Sequence, residues 1–258
     1  EAKRLFAEIF HLTPEQVIVS GNSSLNIMHD LIVRFLFFGT KPGAKPWKEV
    51  NTLKFLCPVP GYDRHFSITE LFGFTMINIP LLEDGPDMDL VEKLVAEDAS
   101  IKGMWAIPKY SNPTGTIYSE AVLRRMASMK TAAEDFRIFC DDAYTVHFLG
   151  DGPVEQMNLV RACIEAGNPD RTIMFASTSK ITFPGAGISA MASSVENIKY
   201  FNDLISYQTI GSDKMNQLRH VKFLHDYAGV IAHMRKHAAL VAPKFQVCQE
   251  VLRAELAD

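Results

Sequence analysis

Several segments of the chain place polar side chains capable of covalent or acid–base chemistry directly after short apolar runs. The clearest is STSK at 177–180, which follows the apolar run 172–176. A lysine at the end of a buried strand can be desolvated, which lowers its pKa and makes its amine a nucleophile able to form a Schiff base. The alternative is a solvated surface lysine, the commoner state of that residue. Lys180 is therefore a candidate nucleophile.

Two adjacent acids, Asp141 and Asp142, follow the apolar run 136–140. We expect Asp141 to point into a crevice at the strand end, where a carboxylate can hold a heterocyclic nitrogen protonated through an ion-paired hydrogen bond. Metal binding is the competing use. Because no group of histidines or acids with ligand spacing accompanies the pair, we predict no metal site. His147 is interpreted as an ordinary loop or core histidine.

Three further segments place polar or aromatic groups after apolar runs. The turn SNPTG at 111–115 would aim the Asn112 amide inward if the peptide bond before Pro113 is cis, although most such turns have no other role. The segment VSGNSS at 19–24 is expected to start a helix. Its free backbone amides are either capped by the hydroxyl side chains of the segment or bind a phosphate. The segment PGYDRH at 60–65 offers an aromatic ring that could cover one face of a flat ligand.

The elements between these segments predict the fold class. Short apolar runs alternate with stretches of helical period, which is typical of an α/β domain with a mainly parallel sheet and helices on both faces. The predicted strands are 17–20, 52–57, 75–79, 102–107, 137–140, 172–176 and 188–192. The predicted helices lie near 23–38, 90–96, 120–133 and 195–207, and from about residue 215 the pattern is helical almost to the end, with a kink or domain passage at Pro243. Ligands of such sheets bind beyond the carboxyl ends of the strands, where the polar segments gather.

Composition and charge exclude several classes of protein. The chain has 258 residues, 47% of them hydrophobic and 22% charged, which suits one large globular domain or one domain plus part of a second. A net charge of −4 without a basic stripe argues against nucleic-acid partners. No apolar run approaches the roughly 18 residues that a membrane span needs, so no membrane partner is expected.

The cysteines and the chain ends add two expectations. Four cysteines far apart in the chain predict buried free thiols in a reducing compartment, and so a cytoplasmic protein. They are Cys57, Cys140, Cys163 and Cys248. The chain starts at Glu1 inside a helical pattern and without a methionine, so we expect a segment of a longer protein.

The motifs, taken in order, resemble the large domain of fold-type I pyridoxal-phosphate enzymes, the aspartate aminotransferase superfamily. Within it, GNSSL at 21–25, PGYDRH at 60–65 and SKIT at 179–182 look like a branch of aspartate aminotransferases related to the catalytic domains of MocR-type regulators. The resemblance spans roughly residues 15 to 225. It implies a cofactor-binding large domain over 1–212 and interdomain helices leading into a truncated small domain over 213–258.

The resemblance also implies a role for each motif. Lys180 would form a Schiff base with pyridoxal 5′-phosphate and then move a proton between the substrate's alpha carbon and the cofactor's aldehyde carbon. Asp141 would pair with the protonated pyridine nitrogen. Asn112 and Tyr144 would hydrogen-bond the phenolate oxygen, with Tyr144 counted as catalytic beside the lysine and the acid, and Tyr62 would stack on the ring. The implied phosphate ligands are Gly21, Asn22, Ser23 and Ser177, with Ser179 as a further candidate.

Two departures from the family pattern bear on the site. Many relatives carry a phosphate-binding arginine seven or eight residues beyond the lysine, where this chain has Gly187 and Ile188, so the cation would come from elsewhere, with Lys214 as a candidate. The family's region for the substrate's alpha-carboxylate lies outside this chain. Arg64 and Arg219 could bind a distal substrate carboxylate, or could form surface or interface pairs.

The predicted function is the transfer of an amino group between an amino acid, aspartate in first place, and a 2-oxo acid, by a homodimer. Two alternatives stay open. One is another reaction at the alpha carbon, such as decarboxylation or elimination, and the other is a non-catalytic cofactor-binding effector domain of a transcription regulator. A nucleotide-binding α/β protein is disfavoured because neither a G-x-G-x-x-G motif nor a P-loop is present.

Overall fold

An eight-stranded sheet forms the centre of the computed structural model, which describes residues 1–256. The strands are β1 (Val17–Ser20), β2 (Lys54–Val59), β3 (Thr75–Leu82), β4 (Gly85–Pro86), β5 (Ile101–Ala106), β6 (Arg137–Asp141), β7 (Thr172–Ser177) and β8 (Ser189–Ala192). Their order across the sheet is β1-β8-β7-β6-β5-β2-β3-β4. The five adjacent strands β3, β2, β5, β6 and β7 pair in parallel. The pairs β3–β4, β7–β8 and β8–β1 are antiparallel. The predicted mainly parallel α/β sheet is confirmed.

Helices cover both faces of this sheet, as predicted. They are α1 (Ala2–Phe10), α2 (Ser24–Phe38), α3 (Asp63–Leu71), α4 (Met88–Glu97), α5 (Glu120–Ser128), α6 (Leu159–Glu165), α7 (Val195–Ser206), α8 (Lys214–Leu224) and α9 (Tyr227–Leu256). Buried side chains of α1, α4, α5, α6, α8 and α9 form one core with the sheet, and those of α2, α3 and α7 form the other. No helix within residues 1–256 has both the length and the apolar composition needed to cross a bilayer.

The alternation of side chains along β6 explains where its terminal acid points. Successive residues of a strand face opposite sides of the sheet. Ile138 and Cys140 join the core under α1, α5 and α6, whereas Phe139 lies in the aromatic core under α2 and α3. Asp141 is therefore expected on the aromatic side with Phe139, and Asp142 on the other.

Three differences from the predicted elements have local causes. The helix predicted over 120–133 ends at Ser128 because Met129 takes an extended ψ of 145°. The long C-terminal helical pattern is divided at His225, whose φ of 63° is left-handed and cannot continue a helix. Helix α9 then runs through Pro243 without ending there. Helices α3 and α6 were not predicted.

The C-terminal expectations have mixed outcomes. The boundary predicted at 212/213 falls in the connection between α7 and α8 and stays a prediction, and residues 257–258 of the predicted segment 213–258 lie outside the described residues.

Cys57, Cys140 and Cys163 are buried free thiols, as expected. Cys248 is exposed on α9, so the prediction of burial was wrong for that residue.

Candidate functional site

The five motifs meet at one edge of the sheet. Because β2, β5, β6 and β7 are parallel, their carboxyl ends lie side by side at that edge. Strand β1 is antiparallel to β8, which is itself antiparallel to β7, so the carboxyl end of β1 lies at the same edge. The last residues of these five strands and the segments that follow them carry the predicted site residues Gly21, Asn22, Ser23, Tyr62, Asn112, Asp141, Tyr144, Ser177 and Lys180.

Asp141, the last residue of β6, lies in the aromatic layer of the sheet. Its Oδ2 is 3.0 Å from Nε2 of His65, and both side chains are buried. The acceptor is a carboxylate oxygen, so Nε2 must carry the hydrogen. The His65 ring in turn stacks on Trp105, with ring centroids 4.5 Å apart and an interplanar angle of 11°. The acid is thus oriented by an imidazole that is itself fixed by stacking.

The second carboxylate oxygen of Asp141, Oδ1, is buried and has no hydrogen-bond partner in the described part of the chain. Leaving a buried acceptor unpaired costs about 1–3 kcal/mol, so such an atom calls for a donor. The N–H of a protonated pyridine ring would supply that donor and a compensating charge. This atom therefore fits pyridoxal phosphate, the cofactor that the sequence resemblance implies.

Lys180 ends the short 3-10 turn that follows β7. The Lys180 Nζ lies 4.4 Å from the centroid of the Tyr144 ring. Tyr144 is three residues after Asp141 in the chain. The lysine and the acid therefore lie on loops that contact each other at one edge of the sheet. The lysine is exposed, so of the two states considered for it the solvated one is observed, because the turn carries the side chain beyond the buried strand.

Two hydrogen bonds join the segment before α2 to the segment around Lys180. Ser179 Oγ donates to the Asn22 carbonyl at 3.1 Å, and the Asn22 side-chain amide donates to the Gly185 carbonyl at 3.1 Å. Ser23 is the N-cap of the 15-residue α2, yet its side chain makes no capping hydrogen bond. A Cβ built on Gly21 would meet nothing within 4 Å. Open space, a free hydroxyl and the positive end of a helix together suit a phosphate group.

The remaining predicted residues border the same edge. Ser177 ends β7 and precedes the turn that carries the lysine. Asn112 is half-buried in its turn, and the Asn112–Pro113 peptide bond is cis, a geometry that the sequence left open. Tyr62 is half-buried and meets the His65 ring edge to face at 5.1 Å. No contact tests the roles predicted for these three residues.

Asp142 points to the other face and has a different environment. It lines a cavity of about 40 Å³ together with Lys109 and Thr145. Burial raises the pKa of its carboxyl to about 6, with the positive charge of Lys109 opposing the rise. Lys109 Nζ donates to the Thr145 carbonyl at 3.1 Å and so links the loop that carries Asn112 to the loop after β6.

The candidate cations take separate positions. Arg219 donates to the Ala186 carbonyl at 3.0 Å, beside the glycine to which Asn22 is bonded. Lys214 is exposed and borders a groove with Ser20. Arg64 is exposed on α3. None of these contacts tests a role in binding phosphate or substrate.

His65 is the residue of this site that sequence reasoning missed. It lies within the motif at 60–65, but only the tyrosine of that motif received a role. Its partner Asp141 is 76 residues away, so no local spacing indicates the contact. The one available signal was a histidine three residues beyond an aromatic residue at a strand end.

The chain is similar over its whole length to a known protein family. The family model described as aspartate amino-transferase matches residues 1–258. An aspartate aminotransferase of Corynebacterium glutamicum is 48% identical over 258 residues, which are 100% of this chain and 60% of that protein. The chain therefore spans about 60% of the length of this relative.

Solved structures give the same picture. The crystal structure of an aspartate transaminase from Corynebacterium glutamicum matches with a TM-score of 0.96 at 48% identity, over 99% of this chain and 60% of that chain. An alpha-aminoadipate aminotransferase from Thermus thermophilus, complexed with N-(5′-phosphopyridoxyl)-L-leucine, matches with a TM-score of 0.77 over 99% of this chain and 60% of that chain. At 21% identity this second likeness shows the fold alone.

Proposed function

This chain belongs to the aspartate aminotransferase family, and from that premise we propose that the complete protein transfers an amino group between an amino acid and a 2-oxo acid, with pyridoxal 5′-phosphate as its cofactor. The observation that carries the proposal is the buried, unpartnered Oδ1 of Asp141 at the sheet edge that also bears Lys180. The bound cofactor supplies an electron sink that stabilises a carbanion at the substrate's alpha carbon.

Asp141 would accept a hydrogen bond from the ring nitrogen of the cofactor at Oδ1. Its other oxygen is already held by His65 at 3.0 Å, so the carboxylate is oriented before any ligand binds. The buried position strengthens an ion-paired hydrogen bond, because little water competes with it. The acid would therefore keep the ring nitrogen protonated.

Lys180 would hold the cofactor through its amine. When the substrate's own amine has displaced it from the cofactor, the freed amine of Lys180 would be placed to move a proton to and from the alpha carbon. Its exposure leaves the amine accessible to the cofactor. The Tyr144 ring beneath the amine would keep the side chain at this edge through a cation–π contact. The Tyr144 hydroxyl and the Asn112 amide are proposed as donors to the phenolate oxygen, and the Tyr62 ring as its stacking partner.

The phosphate is proposed to lie at the start of α2. Gly21 leaves room, and Ser23 makes no capping hydrogen bond among the described residues. Ser177 ends β7, and Ser179 lies in the turn after it and bonds to the Asn22 carbonyl. Arg219 and Lys214 are the candidate cations.

The finer parts of the function rest on relatives. Aspartate as the amino donor is supported by the aspartate aminotransferase that is 48% identical to this chain. A homodimer in the cytoplasm is proposed on the family resemblance. The cofactor geometry alone serves decarboxylation or elimination equally well, because substrate orientation selects the bond that breaks.

The test is the absorbance of the complete protein with pyridoxal phosphate. We expect the wild type to develop the band of a lysine-bound cofactor, and Lys180→Ala to lack it. Transaminase activity should fall by about 10²- to 10⁴-fold in the variant, the usual contribution of a positioned acid–base group. Amino-donor profiling of the wild type then ranks aspartate against other amino acids.

Lys93→Ala is the matched control, since Lys93 is exposed on α4 at a distance from these loops. It should keep both band and activity. An unchanged band in Lys180→Ala would remove the lysine from its proposed role.

A further inference from the structure

The segment that follows the lysine is held by three imidazoles from three separate parts of the chain. His147 Nε2 lies 3.3 Å from the carbonyl oxygen of Lys180 itself. His233 Nε2, on α9, lies 2.9 Å from the carbonyl oxygen of Ile181. His220 Nε2, on α8, lies 2.9 Å from the hydroxyl of Thr182. Three consecutive residues are thus each bonded to a different histidine, and we call His147, His220 and His233 the histidine clasp.

The partners determine where the protons of these rings lie. A carbonyl oxygen only accepts, so His147 and His233 must donate from Nε2. His220 Nδ1 lies 2.9 Å from the Asn216 carbonyl oxygen and must carry a hydrogen there, and its Nε2 pairs with the Thr182 hydroxyl. Burial lowers the pKa of His147 to about 4, so the ring of His147 suits the neutral form, with its hydrogen on Nε2.

The clasp acts on backbone that regular structure leaves free. Lys180 and Ile181 lie between the end of β7 and the start of β8, where no sheet ladder among the described residues pairs their carbonyl groups. Unpaired carbonyl groups of a surface loop normally bond to water. Here the carbonyl groups of Lys180 and Ile181 bond to imidazoles that are themselves packed, and Thr182 is held through its hydroxyl. His147 meets the Tyr144 ring at 5.4 Å, and His233 meets Phe223 at 5.1 Å.

Helix α8 also holds the next part of the same loop. The Asn216 amide donates to the Gly187 carbonyl at 2.8 Å, and Arg219 donates to the Ala186 carbonyl at 3.0 Å. The loop from 180 to 187 is therefore joined to α8 and α9 along most of its length. A shift of these helices would move the backbone of the lysine.

We propose that the histidine clasp positions Lys180 and couples its placement to helices α8 and α9. The three histidines are positioning residues, because they contact the backbone and hydroxyl of the lysine segment and not the reacting amine. An exposed lysine has many rotamers, so a fixed backbone and the Tyr144 ring are what restrict its amine to the sheet edge. The consequence for catalysis rests on the function proposed above.

The experiment compares two kinds of substitution in the complete protein. His147→Met and His233→Met remove the donor and keep a side chain of similar bulk. His147→Gln and His233→Gln keep an N–H donor at a similar reach. His29→Met is the control, because His29 is on α2 with a side chain that is 43% exposed.

Hydrogen exchange of the peptide 178–187 in cofactor-free protein measures the clasp itself. Each Met variant should exchange about fivefold faster, the effect of losing one hydrogen bond of about 1 kcal/mol, and each Gln variant should stay near wild type. With cofactor, the Met variants should lower kcat more than they change KM, and should move the pH midpoint of the cofactor's absorbance band. The Gln variants should restore both.

Three results would overturn the proposal. The first is exchange in the Met variants equal to that of His29→Met, and the second is equal damage by Met and Gln. The third is faster exchange with kcat and the pH midpoint unchanged. A wild type that never develops the absorbance band would contradict the proposed function instead, and the exchange data would still judge the clasp.

Discussion

Two adjacent acids at the end of β6, Asp141 and Asp142, point to opposite faces of the sheet and so have different environments. Asp141 shares the aromatic face with His65, and its Oδ1 has no hydrogen-bond partner among the described residues, which suits a ligand with an N–H donor. Asp142 faces the opposite core, where burial raises the pKa of its carboxyl to about 6. The first acid is proposed to hold the cofactor, and the second to support the loop through Lys109.

The raised pKa of Asp142 predicts a pH dependence of stability. The pKa of this carboxyl is about 6 in the folded state, against an ordinary value of 3.8, so this group stabilises the fold fully below about pH 4. That contribution is lost as the pH rises to about 6, by about 3 kcal/mol in the free energy of unfolding. Asp142→Asn cannot ionise and should lack this loss. Urea unfolding between pH 4 and pH 7 measures it.

The difference between wild type and variant is the informative quantity, since other groups titrate in both proteins. Asp151→Asn, at an exposed loop position, is the control and should run parallel to wild type. If Asp142→Asn also runs parallel to wild type across this range, the acid is not buried as an ionisable group.

At the scale of elements, the site depends on a close contact between neighbouring strands. Gly103 in β5 lies beside the Phe55 side chain of β2. The Phe55 ring meets Trp105 at 5.2 Å, and Trp105 carries the stacked His65. The glycine therefore lets an aromatic side chain cross the strand and support the histidine that orients Asp141.

Gly103→Ala should lower the free energy of unfolding by about 1–3 kcal/mol, the usual cost of overpacking a core. A Cβ at this position would lie 2.3 Å from the Phe55 ring and 2.9 Å from the Arg137 carbonyl oxygen. Gly152→Ala is the control, since nothing lies within 4 Å of the added carbon. Chemical denaturation of both variants checks this, and equal stability of the two would contradict the packing argument.

The elements also show what the sequence could predict. The strands could be predicted because each is short, apolar and followed by a turn. The strand predicted over 137–140 ends one residue later in the structure, at Asp141. Helix α3 was missed because it is short and has only three apolar residues among nine, at 66, 68 and 71. It is held in part by the contact of His65 with Asp141, which no local pattern contains.

The site was predicted in its positions more than in its contacts. Motif order placed Lys180, Asp141 and Tyr144 at one edge of the sheet, since each follows a strand. Two of the three clasp histidines, His220 and His233, lie on α8 and α9, whose position comes from tertiary packing. His147 was interpreted as an ordinary loop or core histidine because its partner, the Lys180 carbonyl, is 33 residues away in the chain.

On the scale of the whole molecule, the sheet brings five loops from distant parts of the chain to one edge, between two separately packed helical layers. The chain spans 60% of the length of a relative that is 48% identical to it, an aspartate aminotransferase. The central claim is that one cofactor lies between the amine of Lys180 and the carboxylate of Asp141.

Borohydride reduction of the complete protein with pyridoxal phosphate, followed by peptide mass spectrometry, tests that claim most directly. Reduction fixes the cofactor to whichever amine holds it, so no activity assay is needed. The account predicts one pyridoxyl group on the peptide that contains Lys180. A pyridoxyl group on another lysine, such as the buried Lys109, or on none would contradict it.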